Sequence, residues 1–94
     1  MSDKAAVRAT VFGTVKGVYF RDFTMRKAAE LGIAGYVRNL RLADAVEVTA
    51  EGERNQLVKL ISHLKVGPQA AKVTNIVTDW TEYTGSYQGF QVRD

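Results

Sequence analysis

From Ala5 to Phe12 the chain alternates, with Val7, Ala9 and Val11 on one side and Arg8, Thr10 and Phe12 on the other. That period of two predicts a half-buried strand. After Tyr19 the period changes. Phe20, Thr24, Ala28 and Leu31 share one helical face, Arg26, Lys27 and Glu30 fall toward water, and Gly32 stands where a helix-ending glycine belongs. Ile33–Leu40 reads as a second strand and Ala45–Ala50 as a third, in which Val46, Val48 and Ala50 face inward while Glu47, Thr49 and Glu51 face outward. A second helix is predicted to begin at Glu53, whose acid suits the helix dipole, and to bury Leu57, Leu60, Ile61 and Leu64. Gly67-Pro68 stops it, because proline cannot extend the hydrogen-bond ladder. Val73–Trp80 is a fourth strand, Gly85 marks a turn, and Gly89–Arg93 is a short closing strand with Phe90 and Val92 inward.

The predicted order is β-α-β-β-α-β plus a short extra C-terminal strand. Two amphipathic helices of this length can cover one face of a single antiparallel sheet. The expected fold is therefore an α+β, ferredoxin-like sandwich. Right-handed crossovers set the first strand centrally, beside the third. Residues 1–94 read as one domain, without repeat, linker or low-complexity segment.

Composition narrows the chemistry. There is no cysteine, which excludes disulfides, thiolate metal sites and a cysteine nucleophile. No apolar run approaches ~18 residues, so no membrane span is expected. Met1-Ser2-Asp3-Lys4 lacks the apolar core of a signal peptide, and a cytoplasmic location is expected. Of the net charge of +3, the basic share lies early: residues 1–41 hold eight Lys/Arg against three Asp/Glu, whereas residues 42–94 hold five against seven. Such a field favours a small anion, and a chance excess of solvated cations explains it equally well.

Familiar catalytic sets are missing from the sequence. The single histidine, His63, falls on the polar side of the second helix. No Asp, Glu or His cluster has metal-ligand spacing, and Lys16-Gly17-Val18 is not the Gly-Lys-Ser/Thr of a nucleotide-binding loop. The run Gly13-Thr14-Val15-Lys16-Gly17-Val18-Tyr19-Phe20-Arg21 remains. A strand entering a glycine-bearing loop and then a helix can aim consecutive N–H groups and the helix N-terminus at one anion. Arg21 would add a fork of charged donors there. Asn39, near the end of the second strand, can meet it if strands one and two are neighbours. Taken singly, Arg21 also fits a solvated first-turn arginine, and Asn39 a turn residue.

These segments resemble the acylphosphatase family along nearly the whole chain. The family's Gly-x-Val-Gln-Gly-Val-x-Phe-Arg segment is matched by Gly13–Arg21, and its Gly-aromatic-Val-x-Asn by Gly35-Tyr36-Val37-Arg38-Asn39. Further echoes are Ala28 with Leu31-Gly32, Val46-Glu47 with Glu51-Gly52, and Gly67-Pro68 with Ala71 and Val73. Two departures stand out. Lys16 replaces the usual glutamine, and Leu40–Ala45 lacks the family's glycine turn.

The resemblance implies hydrolysis of the carboxyl–phosphate anhydride of a small-molecule acyl phosphate. It assigns phosphoryl binding to Arg21 and the backbone N–H groups of Val15, Lys16, Gly17, Val18, Tyr19 and Phe20, and water orientation to the Asn39 amide. Inorganic phosphate or sulfate would compete as anions. No metal or other cofactor, nucleic acid or membrane is expected, and the protein is expected to be a monomer. With no titrating base in the motif, either the substrate's own phosphate is expected to accept the water's proton or little deprotonation is needed early.

Two rivals share the element order. In an RNA-recognition module, Lys16–Phe23 would be its basic-glycine-aromatic run, but that run must lie on a central strand to stack bases. The third strand, Val46-Glu47-Val48-Thr49, carries no aromatic residue. A small-molecule binding or regulatory domain of the same fold, or an acylphosphatase-like domain separated from a larger carbamoyl-transfer protein, is the other rival. The short chain without a linker at either end points instead to a self-standing enzyme.

Overall fold

Seven elements run in the predicted order: β1 Lys4–Thr14, α1 Phe20–Glu30, β2 Ala34–Asn39, β3 Ala45–Glu53, α2 Arg54–Val66, β4 Lys72–Thr81 and β5 Phe90–Arg93. They are taken from a computed structural model that describes residues 3–93.

Both helices cover one face of a single sheet whose strand order is β4-β1-β3-β2-β5. β1 is central and pairs antiparallel with β3 and β4, as the crossover rule requires. β2 pairs antiparallel with β3. β1 and β2 are therefore parallel but not neighbours, because β3 lies between them. The expectation of a fully antiparallel sheet also needs correction, since β5 runs parallel to β2. The reason is topological. β4 and β5 occupy opposite edges, so the chain after Thr81 must cross the sheet, and it reaches the far edge at the end where β2 begins.

The core forms where the two periodicities meet. Val7, Ala9 and Val11 of β1 stand opposite Ala50, Val48 and Val46 of β3, and Val37 of β2 opposite Val48. All are buried, together with Phe20, Thr24 and Ala28 of α1 and Leu57, Leu60 and Leu64 of α2. A fully buried leucine contributes about 2 kcal/mol. That packing, rather than capping, holds α2, because its N-cap residue Glu53 makes no side-chain cap bond. Glu53 is in extended conformation, so α2 begins at Arg54 and its first turn carries no acid, contrary to the sequence reading. Gly32 does end α1: Ile33 N–H donates to Ala28 O and Gly32 N–H to Ala29 O, the paired bonds of a Schellman turn.

The outward residues of β3 divide. Glu47 meets Arg38 across the strands at 3.0 Å, half in water. Glu51 points to the same helix-free face but is buried, because the segment 82–89 crosses over it. Val92 points to the helix face as predicted, yet stays 41% exposed at the sheet edge. Trp80 is partly covered by the Arg54 guanidinium, 4.4 Å from its ring centroid.

Candidate active site

The join between β1 and α1 is fixed at both ends and open in the middle. At Phe12/Gly13 the pairing with β4 slips by a bulge. Gly13 has φ +132° there, and any Cβ would collide with the Lys72 carbonyl oxygen. Gly13 N–H donates to Asp44 O, tying the base of the loop to the β2–β3 connection. Val15 and Phe20 then bury their side chains as two anchors.

Between the anchors, Gly17 has φ 71° and Tyr19 φ 60°, and Tyr19 is the only non-glycine residue with positive φ among the described residues. A left-handed tyrosine costs on the order of 1 kcal/mol. That conformation gives α1 an abrupt start: the Phe23 N–H bonds to Tyr19 O, and no side chain caps the turn. The backbone N–H groups of Lys16, Gly17, Val18, Tyr19 and Phe20 make no short, well-aligned hydrogen bond to an acceptor among the described residues, although Lys16–Tyr19 forms turns. Val15 differs from them, since its N–H donates to Gly13 O at 3.0 Å. A row of unbonded amides beside a helix N-terminus is positive in field and shaped for an anion.

A cavity of about 600 Å³ opens onto this row. Val15, Gly17 and Tyr19 line it from the loop, and Phe20, Arg21, Asp22 and Met25 from α1. Asn39 and Val92 close it from the sheet. Arg21, in α1, and Asn39, in β2, thus share one cavity although β1 and β2 are not neighbours. Arg21 comes to Asn39 because α1 packs on β2 and β5 rather than on β1.

The two polar side chains are held differently. Arg21 Nη1 donates to the main-chain carbonyl of Arg93 in β5 at 3.1 Å. Asn39 is the last residue of β2, and alternation from Val37 sets it on the helix face. Its Oδ1 is shielded from solvent and accepts no hydrogen bond among the described residues. A buried acceptor left in that state favours a donor such as water or substrate. Asp22 carries the opposite charge, but Arg26 pairs with it at 3.2 Å one helical turn on.

Lys16 and Val18 do not line the cavity with their side chains. Lys16 lines a second cavity, of about 580 Å³, together with Asp44 and Thr74. Val18 packs against the core. His63 is exposed on α2. Among the described residues no three His, Cys, Asp or Glu side chains gather as metal ligands would. The run Lys16–Phe23 occupies the loop and the start of α1, not a strand.

Asp22, Met25 and Val92 were not singled out as site residues from the sequence. Met25 was legible in principle, one helical turn after Arg21. Val92 carried no signal, because its place depends on which sheet edge β5 joins.

The acylphosphatase family model matches residues 7–92. An acylphosphatase of Dehalococcoides mccartyi is 42% identical over 87 residues, 93% of this chain and 96% of its own length. Among solved structures, the acylphosphatase of Coxiella burnetii superposes with a TM-score of 0.91 at 36% identity, over 97% of this chain and 94% of that one. The Bacillus subtilis acylphosphatase also gives 0.91, at 31% identity, over 96% and 99% of the two chains.

Proposed function

Since this chain belongs to the acylphosphatase family, enzymes that hydrolyse acyl phosphates, we propose that the β1–α1 junction holds the phosphoryl group and that Asn39 presents the water. The N–H groups of Lys16 to Phe20 and the guanidinium of Arg21 bind the phosphoryl oxygens. Val15 contributes by anchoring the loop, its own N–H being engaged with Gly13 O. Inorganic phosphate or sulfate competes for the same donors. The protein acts as a single domain over 1–94, as a monomer and in the cytoplasm.

The reaction follows from that placement. Water held at Asn39 Oδ1 attacks phosphorus, the bond from phosphorus to the acyl oxygen breaks, and its electron pair leaves on the carboxylate. Both protons of the water end on the phosphate, so the enzyme needs no titrating base. The leaving group is already good, and positioning with charge stabilisation supplies most of the rate. Charge spreads over the equatorial oxygens in the transition state, where fixed amides and a guanidinium gain most.

The observation that supports this reading is the shielded, unpartnered Oδ1 of Asn39, a residue that lines the same cavity as Arg21 and the loop bearing the unbonded amides. Hydrolysis of benzoyl phosphate by the purified protein tests it, followed by release of inorganic phosphate. Turnover is expected with excess EDTA present. Binding of phosphate without turnover would instead make the chain a binding domain.

A further inference from the structure

Glu51 is the one buried carboxylate among the described residues. It has no cation within ion-pair distance among them. Its oxygens are taken up by the crossing segment instead. Oε2 accepts from Thr84 N–H at 3.1 Å and from Thr84 Oγ1 at 2.8 Å, and Oε1 accepts from Gly85 N–H at 2.9 Å. Bonds to a charged acceptor in a dry setting are the stronger kind, and breaking one leaves an unpaired buried group.

What Glu51 fixes matters far from where it lies. Residues 82–89 have no regular secondary structure of their own. Their route across the sheet rests on Glu51, on Tyr87 against Tyr36 and on Gly35 N–H donating to Gly89 O. That route delivers β5, only four residues long, to its parallel register beside β2. The last residue of β5 is Arg93, whose carbonyl accepts from Arg21 Nη1 at 3.1 Å. A slip of one residue in β5 would move that carbonyl by about 3.3 Å, out of hydrogen-bond reach of Arg21. It would also turn Val92 away from the cavity.

We infer that Glu51 is a positioning residue for the reaction: by pinning Thr84 and Gly85 it sets the register of β5 and, through the Arg93 carbonyl, the aim of the Arg21 guanidinium. The inference rests on the reading of Arg21 as the phosphoryl-binding side chain. It acts along the chain from the closed end of the sheet to the open one, with no contact between Glu51 and substrate.

The test compares Glu51→Gln, Thr84→Ala and Arg21→Gln with the parent protein, measuring benzoyl phosphate kinetics, inhibition by inorganic phosphate and the unfolding temperature. Leu57→Val serves as a control that weakens core packing without touching the crossing segment. In Glu51→Gln an amide –NH₂ must face a backbone N–H, so the segment loosens. The expected result is a ten- to hundred-fold fall in kcat/KM, roughly what a misplaced charged donor costs, with a parallel rise in the phosphate inhibition constant. Thr84→Ala, which removes one bond of the set, should raise that constant about threefold. Leu57→Val should lower the unfolding temperature but leave phosphate inhibition within about twofold.

If Glu51→Gln does not fold, Thr84→Ala decides alone, and parent-like phosphate inhibition in it overturns the inference. Parent-like inhibition and kcat/KM in a folded Glu51→Gln, alongside an inactive Arg21→Gln, overturns the positioning role and spares the reading of Arg21. Undiminished phosphate inhibition in Arg21→Gln overturns both.

Discussion

Gly67, the residue that ends α2, lies against the ring of Phe20, the residue that begins α1. A Cβ added to Gly67 would stand 2.8 Å from Phe20 Cε2. Gly67 also has φ 73° and ψ −178°, a conformation that side chains resist. The contact joins the second helix to the β1–α1 loop, because Phe20 is that loop's inner anchor.

Gly67→Ala should therefore cost both backbone strain and a displaced ring. A loss of about 2–4 kcal/mol of stability is expected, read by denaturant unfolding. Phosphate inhibition should weaken in the same variant, since Phe20 carries one of the loop amides. Unchanged inhibition with lowered stability would uncouple the anchor from the cradle.

Arg21→Gln should reduce kcat/KM by at least 10²- to 10³-fold, about the loss on deleting a donor aimed at developing charge. Inhibition by phosphate or sulfate should disappear with it. Both can be read from initial rates with added anion.

Asn39→Ala should act on turnover alone. A fall in kcat of about 10²-fold is expected from a misplaced nucleophile, with the phosphate inhibition constant within about twofold. Equal loss of turnover and of phosphate inhibition would remove the water-orienting role.

Lys16→Gln tests which part of Lys16 matters. Lys16 lines the second cavity with Asp44 and Thr74, and is absent from the lining shared by Arg21 and Asn39. The variant should keep kcat and phosphate inhibition within about twofold, the scatter of surface substitutions. A larger change would mean that the ammonium, not only the backbone N–H, acts on the bound anion.

The pH dependence should be flat near neutrality. No histidine lines the cavity, and histidine is the side chain whose ordinary range falls there. kcat for benzoyl phosphate should vary by less than about twofold between about pH 6 and 8. A bell with two apparent pKa values in that region would require a titrating base that the proposed mechanism lacks.

Much of the cavity's lining was readable from local pattern. Gly13 and Gly17 mark a turn out of a strand, Phe20 and Thr24 start a helical face, and Arg21 falls in its first turn. Each of these is a statement about neighbouring residues, and local sterics and period decide such statements. Asn39 was legible only with the resemblance, because a lone asparagine after a strand fits a turn equally well. Glu51 was misread in one respect: the alternation placed it on the outer face, but nothing nearby told that residues 82–89 would cover it.

The sequence by itself determined the elements, their order, the faces they bury and the glycine-bearing loop between β1 and α1. Periodicity and glycine stereochemistry act over a few residues, so they survive in any arrangement of the rest. Only the tertiary structure decided that β3 separates β1 from β2, that β5 joins the far edge in parallel, that Val92 lines the cavity and that the Arg93 carbonyl accepts from Arg21. Those outcomes depend on pairings between segments tens of residues apart. Such pairings are settled by loop closure and by the packing of whole faces, which no local stretch encodes.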